Sequence, residues 1–147
     1  MYKHILAPTD GSNLSLKAVK TAARLAAESG ARLSVLYVMP EYIPVYGEAA
    51  LYLPETSPRK FKEAVEGDAQ MAIARAAKVA AEMDINPRGI RVTSRHPWDA
   101  IIKTARAKKC DLIVMASHGR SGLAGFVLGS QTTKVLTHSK KPVLVCR

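Results

Sequence analysis

Aromatic residues make up only 5% of this 147-residue chain. That is too few for a groove that stacks successive bases, so a single-strand nucleic-acid channel is not expected. Cysteine is scarcer still, with Cys110 and Cys146 the only two. They form neither a Cys-x-x-Cys motif nor a disulfide framework, and each borders an apolar run, so small core or near-surface thiols are expected. No apolar run approaches the roughly 18 residues of a membrane span. The opening Met1-Tyr2-Lys3-His4-Ile5 has no apolar leader region or small-residue cleavage site, which makes a cytoplasmic protein without membrane attachment the expectation. His4, His96 and His138 are scattered without His-x3-His or Cys/His spacing, so no protein metal site is expected. Acids are short as well: 12 against 22 bases, a net charge of +10. Such a charge favours anionic partners, whether nucleotides, nucleic acid or an acidic membrane surface. The bases are dispersed, however, and the tightest groups (103–109 and Lys140-Lys141) are short, so a generally solvated basic surface is the plainer reading.

What remains is ordinary globular material, 48% hydrophobic and 23% charged, of a length that suits one domain over residues 1–147. Strand-like runs alternate with helical patterns throughout. His4-Ile5-Leu6-Ala7 leads into the turn Pro8-Thr9-Asp10-Gly11-Ser12; Leu14, Ala18, Ala22, Leu25 and Ala26 then recur at helical spacing until Gly30, a residue suited to ending a helix. Leu33 to Met39 is a second strand. Phe61, Val65, Ala69, Ala72, Ala76, Val79 and Met83 mark one face of a long second helix. Ile90 to Thr93 alternates like a half-exposed edge strand, and Trp98, Ile101, Ile102 and Ala105 mark a short helix with Pro97 in its first turn. Leu112 to Ala116 is continuously apolar, as a strand covered on both faces should be. A last helix near Ser130–His138 and a strand at Val143–Cys146 complete a β-α-β-α-β-α-β-α-β order. This alternation predicts an α/β protein: a parallel sheet with helices on both faces. Pro40 to Pro58, with Tyr42, Tyr46 and Tyr52 between its prolines, is long for a connection and reads as a lid, a subunit contact or a disordered insertion.

The chemistry concentrates after the fourth strand. Gly119, Gly122, Gly125 and Gly129 fall close together, and glycine lets backbone N–H groups approach an anion with no Cβ in the way. Gly129-Ser130 opens a helix whose first amides and dipole attract phosphate. Ser130 is placed to cap that helix or to hydrogen-bond an oxygen, and Arg120 to neutralise charge bidentately. Gly129 is not followed by Lys, so this is no Walker A loop, and the glycine spacing is not that of a dinucleotide fingerprint.

With these residues the chain resembles the universal stress protein family, from the opening strand and Pro8-Thr9-Asp10 to Lys141-Pro142-Val143-Leu144-Val145. The family's nucleotide-binding branch carries Gly-x2-Gly-x9-Gly-Ser/Thr. Gly119 and Gly129 match its second and third glycines, Ser130 supplies the hydroxyl, and Ala116 stands at the first position. The resemblance implies an open five-stranded sheet of order 3-2-1-4-5, a Rossmann-like arrangement of the adenine nucleotide alpha hydrolase type. It also implies an ATP site, with AMP or ADP as further ligands and Mg²⁺ only as an accompanying ion. Asp10 would bond ribose hydroxyls, its other role being a helix N-cap, and Pro8 and Thr9 would border base and sugar. Val38 would offer backbone hydrogen bonds to adenine. Met115, Ala116, Gly119 and Arg120 would run along the nucleotide, with Gly129, Ser130, Gln131 and Thr132 closing the site. His118 beside this loop reads as a phosphate contact or loop packing, since no orienting partner or nucleophile–base pair is evident. At most slow hydrolysis is therefore expected, in a regulatory stress-response role.

Val143, Leu144 and Val145 would form an apolar outer strand, and both this and the resemblance imply a homodimer through it. Three other readings stand beside the nucleotide-binding one. Ala116 keeps open a dimeric stress protein that binds no nucleotide, and the +10 charge keeps open a nucleic-acid binder. An adenylyl-transferring ATPase would carry Ser-Gly-Gly-x-Asp-Ser after the first strand, which Pro8 to Ser12 does not match.

Overall fold

The computed structural model describes residues 1–52, 57–120 and 127–147. Five strands, β1 (His4–Pro8), β2 (Arg32–Met39), β3 (Arg88–Thr93), β4 (Leu112–Ala116) and β5 (Val143–Cys146), form one parallel sheet in the order β3-β2-β1-β4-β5. Among the described residues four α-helices connect them: α1 (Asn13–Ser29), α2 (Pro58–Ala81), α3 (Pro97–Ala107) and α4 (Ser130–His138). The expected fold and strand order are those observed.

Period-two alternation sorts the strands onto two cores. Ile5 and Ala7 of β1 join Leu33, Val35, Leu112 and Val114 beneath α1 and α2, whereas Leu6, Leu36, Ile113 and Met115 face Ile101, Ala105 and Val135 of α3 and α4. β1 and β4 are thus apolar on both sides, as continuous runs require. α2 departs from expectation. Its buried residues are Ala69, Ala72, Ala76 and Ala80, while Phe61, Val65, Val79 and Met83 are only half-buried. Small side chains let this helix lie close to the sheet, and the larger ones pack along the rim.

Helix boundaries follow local chemistry. Gly30 ends α1 in the left-handed region at φ 66°, and Pro97 begins α3. Two cap assignments need correcting. Ser12, not Asp10, caps α1, its side chain accepting from Ser15 N, and Gly129, not Ser130, is the N-cap of α4. Between β2 and α2 the chain holds a 3₁₀ turn at Glu48–Tyr52. Glu41 pairs with Arg95 at 2.6 Å and the Tyr42 ring meets Phe61 edge-on, so the beginning of this connection is tied to the body. Tyr46, Leu51 and Tyr52 are exposed. Pro54, Gly122 and Gly125 lie outside the described residues.

Candidate functional site

β1 leads to β2 and β3 on one side of the sheet, and β4 leads to β5 on the other. Between the C-terminal ends of β1 and β4 the connections diverge, and there a crevice must open. A cleft of about 710 Å³ occupies this place. Pro8, Thr9 and Asp10 line it from β1, Val38 from β2, and Met115, Ala116, His118, Gly119 and Arg120 from the end of β4. Gly129, Ser130, Gln131 and Thr132 line it from the start of α4. Each of the thirteen residues expected at the nucleotide therefore lines one cavity. The sequence reading missed Ser15, Leu36, Pro97, Ile101, Val127 and Leu128, which line it too. Leu36 was available by alternation from Val38, and Ile101 by helical spacing from Pro97; Val127 and Leu128 adjoin Gly129.

Asp10 organises the β1–α1 turn. Its Oδ1 accepts from Ser12 N at 2.9 Å, and its Oδ2 accepts from Arg120 N at 2.8 Å, joining loops that are 110 residues apart. Burial works against its ionised form, yet the hydrogen bonds from Ser12 and the Arg120 amide outweigh burial and hold the carboxyl below its ordinary range. An anionic hydrogen-bond acceptor thus stands fixed at the mouth of the cleft. Thr9 stiffens the same turn: its Oγ1 lies 2.8 Å from Ser15 Oγ and accepts from Gly11 N at 3.1 Å. Arg75 of α2, unforeseen from sequence, donates to Gly11 O at 2.8 Å.

The glycines serve a purpose that the sequence could not show. Neither Gly119 nor Gly129 has a left-handed backbone. A Cβ on Gly119 would stand 2.6 Å from Asp10 Oδ2, and one on Gly129 would stand 3.1 Å from His118 Cα. They are needed for close approach between parts of the chain itself. Two backbone amides of the motif are already committed, Arg120 N to Asp10 and Gly129 N to Ser117 O at 2.8 Å. The first-turn amides of Ser130, Gln131 and Thr132 have no acceptor within the helix, so among the described residues of this stretch the amides open to an anion are those of α4.

Several of the side chains expected at the ligand also hold the protein together. Thr132 Oγ1 donates to Ala116 O at 2.9 Å, and Gln131 Oε1 accepts from Trp98 N at 3.0 Å, fastening α3 to α4. The Arg120 guanidinium lies over Gly11, where an added Cβ would be 2.8 Å from its Nη2. Ser130 is exposed. His118 Nδ1 lies 3.2 Å from Ser117 Oγ, and no carboxylate among the described residues hydrogen-bonds its ring. Ala116 ends β4 in register with Cys146, in extended backbone that needs no glycine; what it adds to the cleft is a methyl group.

The backbone of Val38 is placed by sheet register. Leu36 O accepts from Thr9 N and Met39 O accepts from Ser94 N. Backbone groups alternate sides along a strand, so the N–H and C=O of Val38 point to the side where β1 has already ended opposite Leu36. They face the cleft with no strand to pair them. Among the described residues no group of His, Cys, Asp and Glu could hold a metal ion, and no helix is long and apolar enough to cross a membrane.

Comparison with known proteins agrees with this geometry. Universal stress protein MJ0531 of Methanocaldococcus jannaschii is 34% identical over 147 residues, covering 100% of this chain and 83% of the relative. The solved structure of hypothetical protein MJ0577 matches with a TM-score of 0.77 at 27% identity, over 99% of this chain and 96% of that one. A universal stress protein solved in complex with cAMP matches with a TM-score of 0.68 at 28% identity, over 99% and 97% of the two chains. The Universal stress protein family model covers residues 1–147, and on this full-length match the chain belongs to the universal stress protein family.

Proposed function

We propose that this chain binds an adenine nucleotide, ATP foremost with AMP and ADP as further ligands, in the cleft between β1 and β4, and acts as a regulatory stress protein with at most slow hydrolysis. The observation that carries the reading is the convergence of three kinds of recognition group on one 710 Å³ cavity. Open backbone groups at Val38 suit an adenine edge. The fixed Asp10 carboxylate suits ribose hydroxyls, and the free first-turn amides of α4 with the Ser130 hydroxyl suit phosphate. A relative solved with cAMP supports an adenine nucleotide as the ligand class. Mg²⁺ would arrive only with the phosphates, which supply most of its ligands along with water. Residues 1–147 would act as one cytoplasmic unit.

The chain would work as a homodimer through β5. Leu144 of this outer strand is 40% exposed, whereas the other outer strand, β3, carries Arg88 and Arg91, charges that discourage edge pairing. Nucleotide could regulate a partner only by preferring one conformation of the protein.

The test is to denature freshly purified protein, identify released nucleotide by chromatography, and titrate the nucleotide-free protein with ATP calorimetrically. Stoichiometric adenine nucleotide, or micromolar binding lost in Asp10→Ala and Gly129→Val, is the expected result. The methyl of Ala116 favours the competing reading, a dimeric stress protein without nucleotide. No nucleotide and no heat at millimolar ATP would establish that one instead.

A further inference from the structure

The opposite end of the sheet holds a second depression. Where β1, β2 and β3 begin, a pocket of about 330 Å³ is lined by His4, Arg32, Ser34, Asp84, Asn86 and Arg88 among others. The strand register pairs His4 with Arg32 and Ser34 with Arg88. Residues paired across a parallel sheet share a face, as do residues two apart on one strand. A histidine, a serine and two arginines from three neighbouring strands therefore stand together on the face that α3 covers.

Among the described residues neither guanidinium has an acidic partner. The ion pairs among the described residues use other groups, and neither Arg32 nor Arg88 makes a side-chain hydrogen bond to another described residue. Two unpaired cations thus face a polar floor that is itself well built. His4 is 7% exposed and Ser34 1%. His4 Nδ1 lies 3.0 Å from Lys108 O, a pure acceptor, so Nδ1 carries the proton, and Nε2 of the neutral ring accepts from Ser34 Oγ at 2.8 Å. Asp84 at the rim contributes one negative charge against two positive.

We infer that this pocket binds a tetrahedral oxyanion of the phosphate class, free or as the end of a small phosphate ester, gripped between Arg32 and Arg88. Guanidinium forks match such oxygens bidentately, and the pocket volume leaves room for a small organic group beyond the anion. His4 makes the site pH-sensitive. Burial first, then the charges of Arg32 and Arg88, keep the imidazole below its ordinary pKa, while the Lys108 carbonyl and Asp111 act in the other direction. An anion between the two arginines cancels part of that opposition and raises the His4 pKa. By linkage, the anion then binds more tightly as pH falls. The site lies at the far end of the strands from the nucleotide cleft and stands whether or not that cleft binds nucleotide.

The experiment is an NMR titration of the intact chain with inorganic phosphate and, separately, with glycerol phosphate. The amides of Ser34 and Arg88 report this pocket, and those of Ser130 to Thr132 report the cleft. Saturable shifts at Ser34 and Arg88 are expected, weakened about tenfold or more in the Arg32→Ala/Arg88→Ala double variant, with the cleft signals unchanged. Both arginines are exposed, so the variant should fold, and its unfolding temperature confirms this. Tighter binding of the ester than of phosphate identifies the small-ester source; equal binding identifies the free anion. Sulfate, whose charge stays constant between about pH 5 and 8, should bind better toward the acid end and shift the His4 ring titration upward. Shifts confined to the cleft, shifts that never saturate, or an undiminished response in the double variant would overturn the site. A His4 titration indifferent to sulfate would overturn the part given to that ring.

Discussion

Gly119→Ala tests whether the glycine loop is shaped by Asp10. The new methyl would stand 2.6 Å from Asp10 Oδ2, well inside the ~3.5 Å of an ordinary carbon contact. The backbone of Gly119 is not left-handed, so alanine suffers no conformational penalty there. The carboxylate must therefore turn away and release the Arg120 amide, which it holds at 2.8 Å. A hydrogen bond to a charged group contributes about 1.5–3 kcal/mol, and the reduced freedom of the unfolded chain returns about 0.4–1 kcal/mol, so a net loss of about 1–2 kcal/mol is expected. The sharper prediction concerns the pair. In an Asp10→Ala background the methyl meets no other described residue, and Gly119→Ala should become neutral or slightly stabilising. Urea denaturation of the four proteins at pH 7 measures the cycle, with the slopes compared to confirm that the unfolded states match. A coupling above about 1 kcal/mol is expected; additivity within about 0.5 kcal/mol would refute the close approach as the reason for glycine.

Asp111 accepts from Lys3 N at 2.8 Å and His4 N at 3.0 Å. Burial opposes its charge, but these backbone hydrogen bonds prevail and depress its pKa. Its stabilisation is thus fully present above the unfolded value of about 3.9 and fades as pH falls through the folded one. Asp111→Asn should cost about 1 kcal/mol at neutral pH, and a cost that persists undiminished in strong acid would contradict this account. Cys110 is buried, and burial first, then the charge of Asp111, push its thiol up to about 11. At mildly alkaline pH an alkylating reagent should modify Cys146 in the native protein and Cys110 only after unfolding; equal native rates would be inconsistent with the described core. For the proposed dimer, Leu144→Glu places a charge on the apolar outer strand and should yield monomers by sedimentation at micromolar concentration. A dimer as tight as the parent's would mean that another surface pairs the subunits.

Much of this protein was legible along the chain because its punctuation is local. Gly30 and Pro97 end and begin helices by their own backbone preferences, and the unbroken apolar run of β4 announces a strand covered on both faces. Alternation of such elements implies a parallel α/β sheet, and the glycine motif marks where its crevice lies. Inferences that needed a neighbour in space went astray. Asp10 and Ser12 are both good capping residues, and only the hydrogen bond from Arg120 shows that Asp10 is engaged elsewhere. Phe61 and Ala72 fall on the same helical stripe, but proximity to the sheet decides that the alanine is buried and the phenylalanine rides the rim. The openness of Val38 depends on β1 ending opposite Leu36, a matter of register between two strands. The arginine-lined pocket needs three strand starts side by side, which no single segment specifies. Periodicity and turn chemistry act over a few residues and can be read in one dimension. Close approach, register and the meeting of charges join residues as distant as Asp10 and Arg120, and only the folded chain brings them together.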